Sequence, residues 1–361
     1  MTKRALFAAG GTGGHIFPAR AAADALVERG WAVQLVTDAR GLKHAGDFPG
    51  DAPVVIDAAS PFQKNPVRAV KAVVSLMKGY GTTRKLMADF KPDVVAGFGG
   101  YPAFPALAAA RLSGTPHLIH EQNAVLGRVN RLFAGSAFAV ASGFDRLDKL
   151  KPGARHEVTG NPLRAAVLAA IRDYTPPEDD GEIRLLVIGG SLGARLLSLT
   201  VPEALAQLPE ALRGRLRVVQ QTRAETLEEA RAIYVRAGIE ADLQPFFTDM
   251  GKLYADAHLV ISRAGASSVS EIAAHGRPAI FVPLGIAMDD HQSANALSLV
   301  EAGAAESIAE SDFAAQSLSA RLETALSDGE ALARRAAAAR AAGRADAHMR
   351  LAELIIAAAG T

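Results

Sequence analysis

The first stretch of this chain whose residue types can do chemistry is Gly10-Gly11-Thr12-Gly13-Gly14-His15, four glycines in five positions followed by a histidine. Glycine is costly to order, so such a cluster asks for a reason. It follows the apolar run 4–9 and opens a helical stretch over 18–29 that Gly30 stops. A strand, a glycine turn and a helix start together form an anion site, because unpaired amides and the helix dipole point at the ligand. A tight turn with no ligand is the plainer alternative. The familiar nucleotide fingerprints do not fit: a dinucleotide motif begun at Gly11 needs glycine where Ile16 stands, and no Gly-Lys-Ser/Thr occurs. Asp38, closing the second strand, imitates the ribose-binding acid of a dehydrogenase and keeps that enzyme class as an alternative. His15 puts an imidazole at the carboxyl end of a strand, where open α/β sheets bind ligands and where it can serve as a base.

Similar clusters follow other apolar runs. Phe98-Gly99-Gly100-Tyr101-Pro102 and His120-Glu121-Gln122-Asn123 each close a strand, and Thr159-Gly160-Asn161-Pro162-Leu163-Arg164 closes the first half. Gly189-Gly190-Ser191-Leu192-Gly193-Ala194 repeats the strand, glycine loop and helix start. Ile261 to Glu271 runs again from strand through loop into helix. There Ser268 and Glu271 have capping-box spacing, so Glu271 either closes its own helix or offers a carboxylate to ribose hydroxyls. The stretch 283–295 is dense in the hydrogen-bonding groups a sugar needs. No D-x-D triplet and no histidine pair at ligand spacing is present, so we expect no protein-held metal and no cofactor; loop amides must then meet any diphosphate charge.

These clusters need parallel strands to position them, and short buried runs alternate with helices along the whole chain. The polar, acidic, proline-bearing segment 172–181 interrupts the alternation and reads as a linker. The chain of 361 residues suits two α/β domains, each a Rossmann-like parallel sheet with helices on both faces. With 39 basic against 38 acidic side chains, nothing argues for nucleic acid. There are no cysteines and no apolar run of membrane-spanning length, so the chain reads as cytoplasmic. In segment 65–78, Val67, Val70, Val74 and Met77 recur at helical spacing with Lys64, Arg68, Lys71 and Lys78 beside them. That pattern suits an anionic membrane surface, or an ordinary amphipathic helix packed on its own sheet.

In order, GGTGGHIFPA, GGYPAFP, HEQNAVLGRVNR, TGNPLR, GGSLGA, SRAGASSVSE and PAIFVPLGIAMDDHQSANA resemble the MurG-type N-acetylglucosaminyltransferases of bacterial peptidoglycan synthesis. The match runs from residue 9 to about 305 and departs at Leu192, where the family pattern has glutamine. The resemblance implies the GT-B fold, two Rossmann-like domains facing across a cleft. It implies an acceptor and membrane-facing domain over 1–163, a hinge and linker over 164–182, and a UDP-sugar domain over 183–335. A C-terminal helix over 336–361 would pack back on the first domain. The implied reaction is inverting transfer of N-acetylglucosamine from its UDP donor to lipid I, the undecaprenyl-diphosphate-linked muramyl pentapeptide, giving lipid II.

The resemblance also implies roles. Thr12, Gly13, Gly14, Asn123, Arg164, Ser191, Phe247, Ala266, Ser267, Ser268, Glu271 and Gln292 would bind UDP-N-acetylglucosamine, with Glu271 on the ribose, Gln292 on the sugar and Phe247 at the uracil. Gly13, Gly14 and His15 would hold the acceptor diphosphate. His15 is the first choice for the base and Glu121 the second, the two able to act together. Val67, Val70, Lys71, Val74, Met77 and Lys78 would touch the cytoplasmic face of the inner membrane, peripherally. Expected partners are the two substrates, the anionic membrane, and proteins of cell-wall synthesis and division. Another GT-B transferase with a different acceptor, and a sensor that binds UDP-sugar without transferring it, are the remaining alternatives.

Overall fold

The computed structural model describes residues 2–46, 48–60, 65–190 and 194–360, so Lys64, Ser191 and Leu192 lie outside the described residues. The chain divides into two units, residues 1–164 with 345–361, and residues 165–344.

Among the described residues the first unit carries seven parallel strands: β1 (Arg4–Ala8), β2 (Ala32–Thr37), β3 (Val54–Val55), β4 (Val94–Gly97), β5 (His117–Glu121), β6 (Val140–Ser142) and β7 (His156–Val158). Their order is β3-β2-β1-β4-β5-β6-β7. Its first helices are α1 (Gly13–Val27), α2 (Ala39–Ala45), α3 (Pro66–Phe90), α4 (Ala103–Ser113) and α5 (Arg128–Phe133). The second unit carries β8 (Ile183–Ile188), β9 (Leu216–Gln221), β10 (Glu240–Gln244), β11 (Leu259–Ser262), β12 (Ala279–Phe281) and β13 (Ala305–Ser307). These lie parallel in the order β10-β9-β8-β11-β12-β13. Its helices are α6 (Ala165–Ala169), α7 (Arg195–Ala206), α8 (Glu210–Arg213), α9 (Leu227–Ala237), α10 (Met250–Asp256), α11 (Ala266–His275), α12 (His291–Glu301), α13 (Ala315–Leu326) and α14 (Gly329–Ala342). The last helix, α15 (Ala347–Ala358), belongs to the first unit. The tail read as one helix over 336–361 is therefore two helices, parted where Gly343 leaves the helical conformation.

Both units are Rossmann-like, with helices on both faces of each sheet. In β1, Ala5 and Phe7 face α1 and α15, where Ile16, Leu26, Leu351 and Ile355 are fully buried. Leu6 and Ala8 face the opposite layer, with Leu107 of α4 and Phe133 of α5. A strand buried on both sides must be apolar along its buried length, as β1 is from Ala5 to Ala8. In the second unit Ile183, Leu185 and Val187 of β8 pack with Leu197 of α7, Tyr234 of α9 and Leu318 of α13. The two strand orders reverse between β1 and β4 and between β8 and β11, and a crevice opens at the carboxyl ends of strands at such reversals.

Candidate active site

The glycine loop of the first unit lies at the first of these reversals, between the ends of β1 and β4. Gly11 has φ +86°, a conformation that glycine alone takes at little cost. Thr12 is the N-cap of α1 but places no side chain on the helix start, so the first-turn amides of Gly13 and Gly14 are left uncapped. Asp38 braces the loop. One carboxylate oxygen accepts from the N–H of Gly11 and of Gly41, each at 2.8 Å, and the other accepts from Arg40 Nε at 3.2 Å. Burial works against the Asp38 charge, but these donors outweigh it and hold the carboxyl below its usual range. The acid that imitates a ribose ligand thus serves the loop's own backbone.

His15 stands in the first turn of α1. Its Nδ1 lies 2.8 Å from Oε1 of Gln122, and Gly99 of the β4 loop, with φ +84°, packs against its ring. A Cβ at Gly99 would come within 3.3 Å of the imidazole. The residue that reaches His15 is therefore Gln122, not its neighbour Glu121. Glu121 ends β5, and β4 stands between β5 and β1. Buried to 3% exposure, its carboxylate accepts from four donors: Asn123 N–H and Nδ2 at 3.1 and 3.3 Å, and Gly127 N–H and Asn130 Nδ2 at 2.8 Å each. It organises the loop that carries Asn123. Arg164 extends its guanidinium over the Phe17 ring of α1, 5.0 Å from the centroid.

At the reversal in the second unit, the Gly189 N–H donates to Gln221 Oε1 at 3.1 Å, and Gly190 has φ +82°. Across the reversal the capping box that the spacing of Ser268 and Glu271 allows does not form. Helix α11 begins at Ala266 with Gly265 as N-cap and no side-chain cap, so Ala266, Ser267 and Ser268 supply the first-turn amides. Glu271 is buried more than a turn further along. Gln292, at the start of α12, accepts from the Leu284 N–H through Oε1 at 3.0 Å and so shapes the loop after β12. Two consecutive aspartates before it, Asp289 and Asp290, have φ of 57° and 51°, a cost non-glycine residues bear mainly where a loop is held for function. Phe247 is half-buried in the loop after β10. Two bracing residues carried no signal in the sequence. Arg263 donates to the carbonyls of Val282 and Pro283 at 2.9 and 3.3 Å and pairs with Glu310, which also accepts from the Gly285 N–H.

Helix α3 turns Ala72, Leu76, Gly79, Thr83 and Met87 inward. Val67, Val70, Val74 and Met77 are 61%, 63%, 46% and 69% exposed, with Lys71 and Lys78 exposed beside them. The stripe is thus not the packing face. Among the described residues no helix is long and apolar enough to cross a membrane.

Residues 5–142 match the glycosyltransferase family 28 N-terminal domain, and residues 184–351 match the C-terminal domain of the same family. The chain is 60% identical to the UDP-N-acetylglucosamine–N-acetylmuramyl-(pentapeptide) pyrophosphoryl-undecaprenol N-acetylglucosamine transferase of Maricaulis maris, covering 98% of this chain and 97% of that one. It is 47% identical to the Caulobacter vibrioides enzyme of the same name, covering 98% and 99%. The crystal structure of Acinetobacter baumannii MurG superposes with a TM-score of 0.78 at 35% identity, covering 98% and 99% of the two chains.

Proposed function

This chain belongs to the MurG-type N-acetylglucosaminyltransferases of glycosyltransferase family 28, and from that we propose that it transfers N-acetylglucosamine from UDP-N-acetylglucosamine to lipid I. The acceptor is the muramyl C4 hydroxyl and the product is lipid II, with inversion at the anomeric carbon. The observation that carries the reading is the 60% identity to a so-named enzyme over nearly the whole of both chains. The test is direct. The protein is incubated with UDP-N-acetylglucosamine and a lipid I analogue and the products are separated; a disaccharide lipid with one UDP per transfer is expected, and its absence would overturn the reading.

Within this function we assign the donor to the second unit. The uncapped amides of Ala266, Ser267 and Ser268 meet diphosphate and sugar without a metal, as helix starts do for anions. Glu271 takes the ribose, the backbone about Phe247 takes the uracil edge, and Gln292 uses its amide N–H on the sugar, its oxygen being engaged by Leu284. Ser191 and the rest of its loop belong to the same assignment. In the first unit the amides of Gly13 and Gly14 take the acceptor diphosphate, with Thr12, Asn123 and Arg164 contributing to the donor. His15 is the base. It removes the hydroxyl proton as that oxygen bonds to the anomeric carbon, and UDP departs with the electron pair of the broken bond. The four donors on Glu121 support an anchoring part for it rather than a second base.

Lipid I is held in a bilayer, and we assign the docking face to α3, at the cytoplasmic surface of the inner membrane. Exposed valines and a methionine beside Lys71 and Lys78 combine apolar insertion with attraction to anionic headgroups.

A further inference from the structure

We propose that His120 and Gln122 are positioning residues that fix the tautomer of His15, leaving the lone pair on Nε2 to accept the substrate's proton. The inference rests on the reading of His15 as the base. It begins at a buried carbonyl. His120, with no exposed surface, has its Nε2 3.0 Å from the Gly160 oxygen. A carbonyl only accepts, so Nε2 carries the hydrogen. Burial drives the His120 pKa down to about 4, with the nearby His15 adding to the effect, so near pH 7 the ring is neutral and its Nδ1 holds a lone pair. That lone pair faces Gln122 Nε2 at 3.0 Å, and the same amide nitrogen lies 3.3 Å from the His120 carbonyl oxygen.

Two acceptors on one side decide which way the Gln122 carboxamide points. Rotated by half a turn it would set its oxygen against both, so the nitrogen faces His120 and Oε1 faces His15. Oε1 accepts only, and His15 Nδ1 stands 2.8 Å away; the Nδ1 must carry the hydrogen. The neutral base therefore presents its lone pair at Nε2, opposite the relay. When Nε2 takes the proton, Nδ1–H still donates to Gln122, and the bond becomes charge-assisted. Gln122 is 3% exposed, so water does not easily substitute for it. The polarity is thus set some 145 positions downstream of His15, at the Gly160 carbonyl, and passes through two side chains to the reacting nitrogen.

The test uses full-length protein with 15N-labelled histidine, reading two-bond correlations between ring nitrogens and carbon-bound protons near neutral pH. Wild-type His15 is expected as the Nδ1–H tautomer; an Nε2–H signal would overturn the proposal whatever the activity. Gln122→Met should give a mixed tautomer and lower kcat about tenfold, with KM for UDP-N-acetylglucosamine changed by less than about twofold. Gln122→Glu retains an acceptor toward His15 but sets its second oxygen against the His120 lone pair and carbonyl, so that oxygen must carry a hydrogen to replace the amide donor. In that form it should restore Nδ1–H at His15 and recover part of kcat. An unchanged tautomer in Gln122→Met would refute the relay. A changed tautomer with unchanged kcat would uphold the relay and remove His15 as the base. Should Gln122→Met fail to fold, the wild-type spectrum alone decides.

Discussion

An imidazole with one nitrogen engaged and the other directed away from its partner is what a base needs, and His15 has that arrangement. We expect His15→Ala to lower kcat by at least about 100-fold while UDP-N-acetylglucosamine binding falls little, since general-base help is typically worth about 100- to 10,000-fold. Parallel turnover and equilibrium-binding measurements check this, and an unchanged kcat would exclude the assignment. Asp38 presents the contrasting case of a carboxylate spent on backbone. Asp38→Ala leaves the Gly11 and Gly41 amides without their acceptor and should cost about 1–3 kcal/mol, read as a lower urea midpoint. That the glycine loops and His15 follow strands at the sheet's carboxyl edge was legible in the residue types and their order. What Asp38, Glu121 and Gln122 do was not. The His15–Gln122 bond joins residues 107 apart, and local spacing carries no information about such a pair. Glu121 looked reactive because its four donors come from the loop after β5 and from Asn130 of α5, whose paths no short motif specifies.

At the scale of the element, helix α3 was legible as amphipathic but not as to which face turns inward. Its packing face uses small or polar residues such as Ala72, Gly79 and Thr83, which a hydrophobic stripe does not advertise. The valines compete for the same assignment and lie outside. We expect the Lys71→Glu, Lys78→Glu double variant to lose flotation with anionic vesicles while its circular dichroism is unchanged. Retained flotation would place the docking face elsewhere. The start of α11 was misleading in another way. Ser268 and Glu271 have the right separation for a box, but the helix opens two residues earlier, at Ala266, and the box has no end to close. Spacing fixes a box only once the first residue of the helix is known.

For the molecule as a whole, the alternation of strands and helices made both sheets legible, while their stability in acid depends on contacts that only the folded chain reveals. His120, His258 and His275 are buried, and burial lowers each pKa from the usual 6.5 to about 4, aided at His258 and His275 by neighbouring arginines. The unfolded chain then binds more protons than the folded one between those values. Stability from these residues is complete above about pH 6.5 and is lost as pH falls toward 4. For the fully buried His120 the loss is on the order of 3 kcal/mol. Urea midpoints should fall steadily from pH 7 to pH 4.5, and His275→Gln should flatten the slope; a flat wild-type profile would contradict these assignments.

Helix α15 gives the first unit a dependence on time. Leu351, Ala352 and Ile355 complete the layer against α1, yet they follow the entire second unit in the chain. During synthesis the ribosome therefore releases α1 long before the surface that covers it exists, and Ile16 and Leu26 have no lid while residues 165–344 are still being made. The nascent first unit should bind chaperones until its last helix arrives, and the second unit, which owns all its layers, should be first to resist protease.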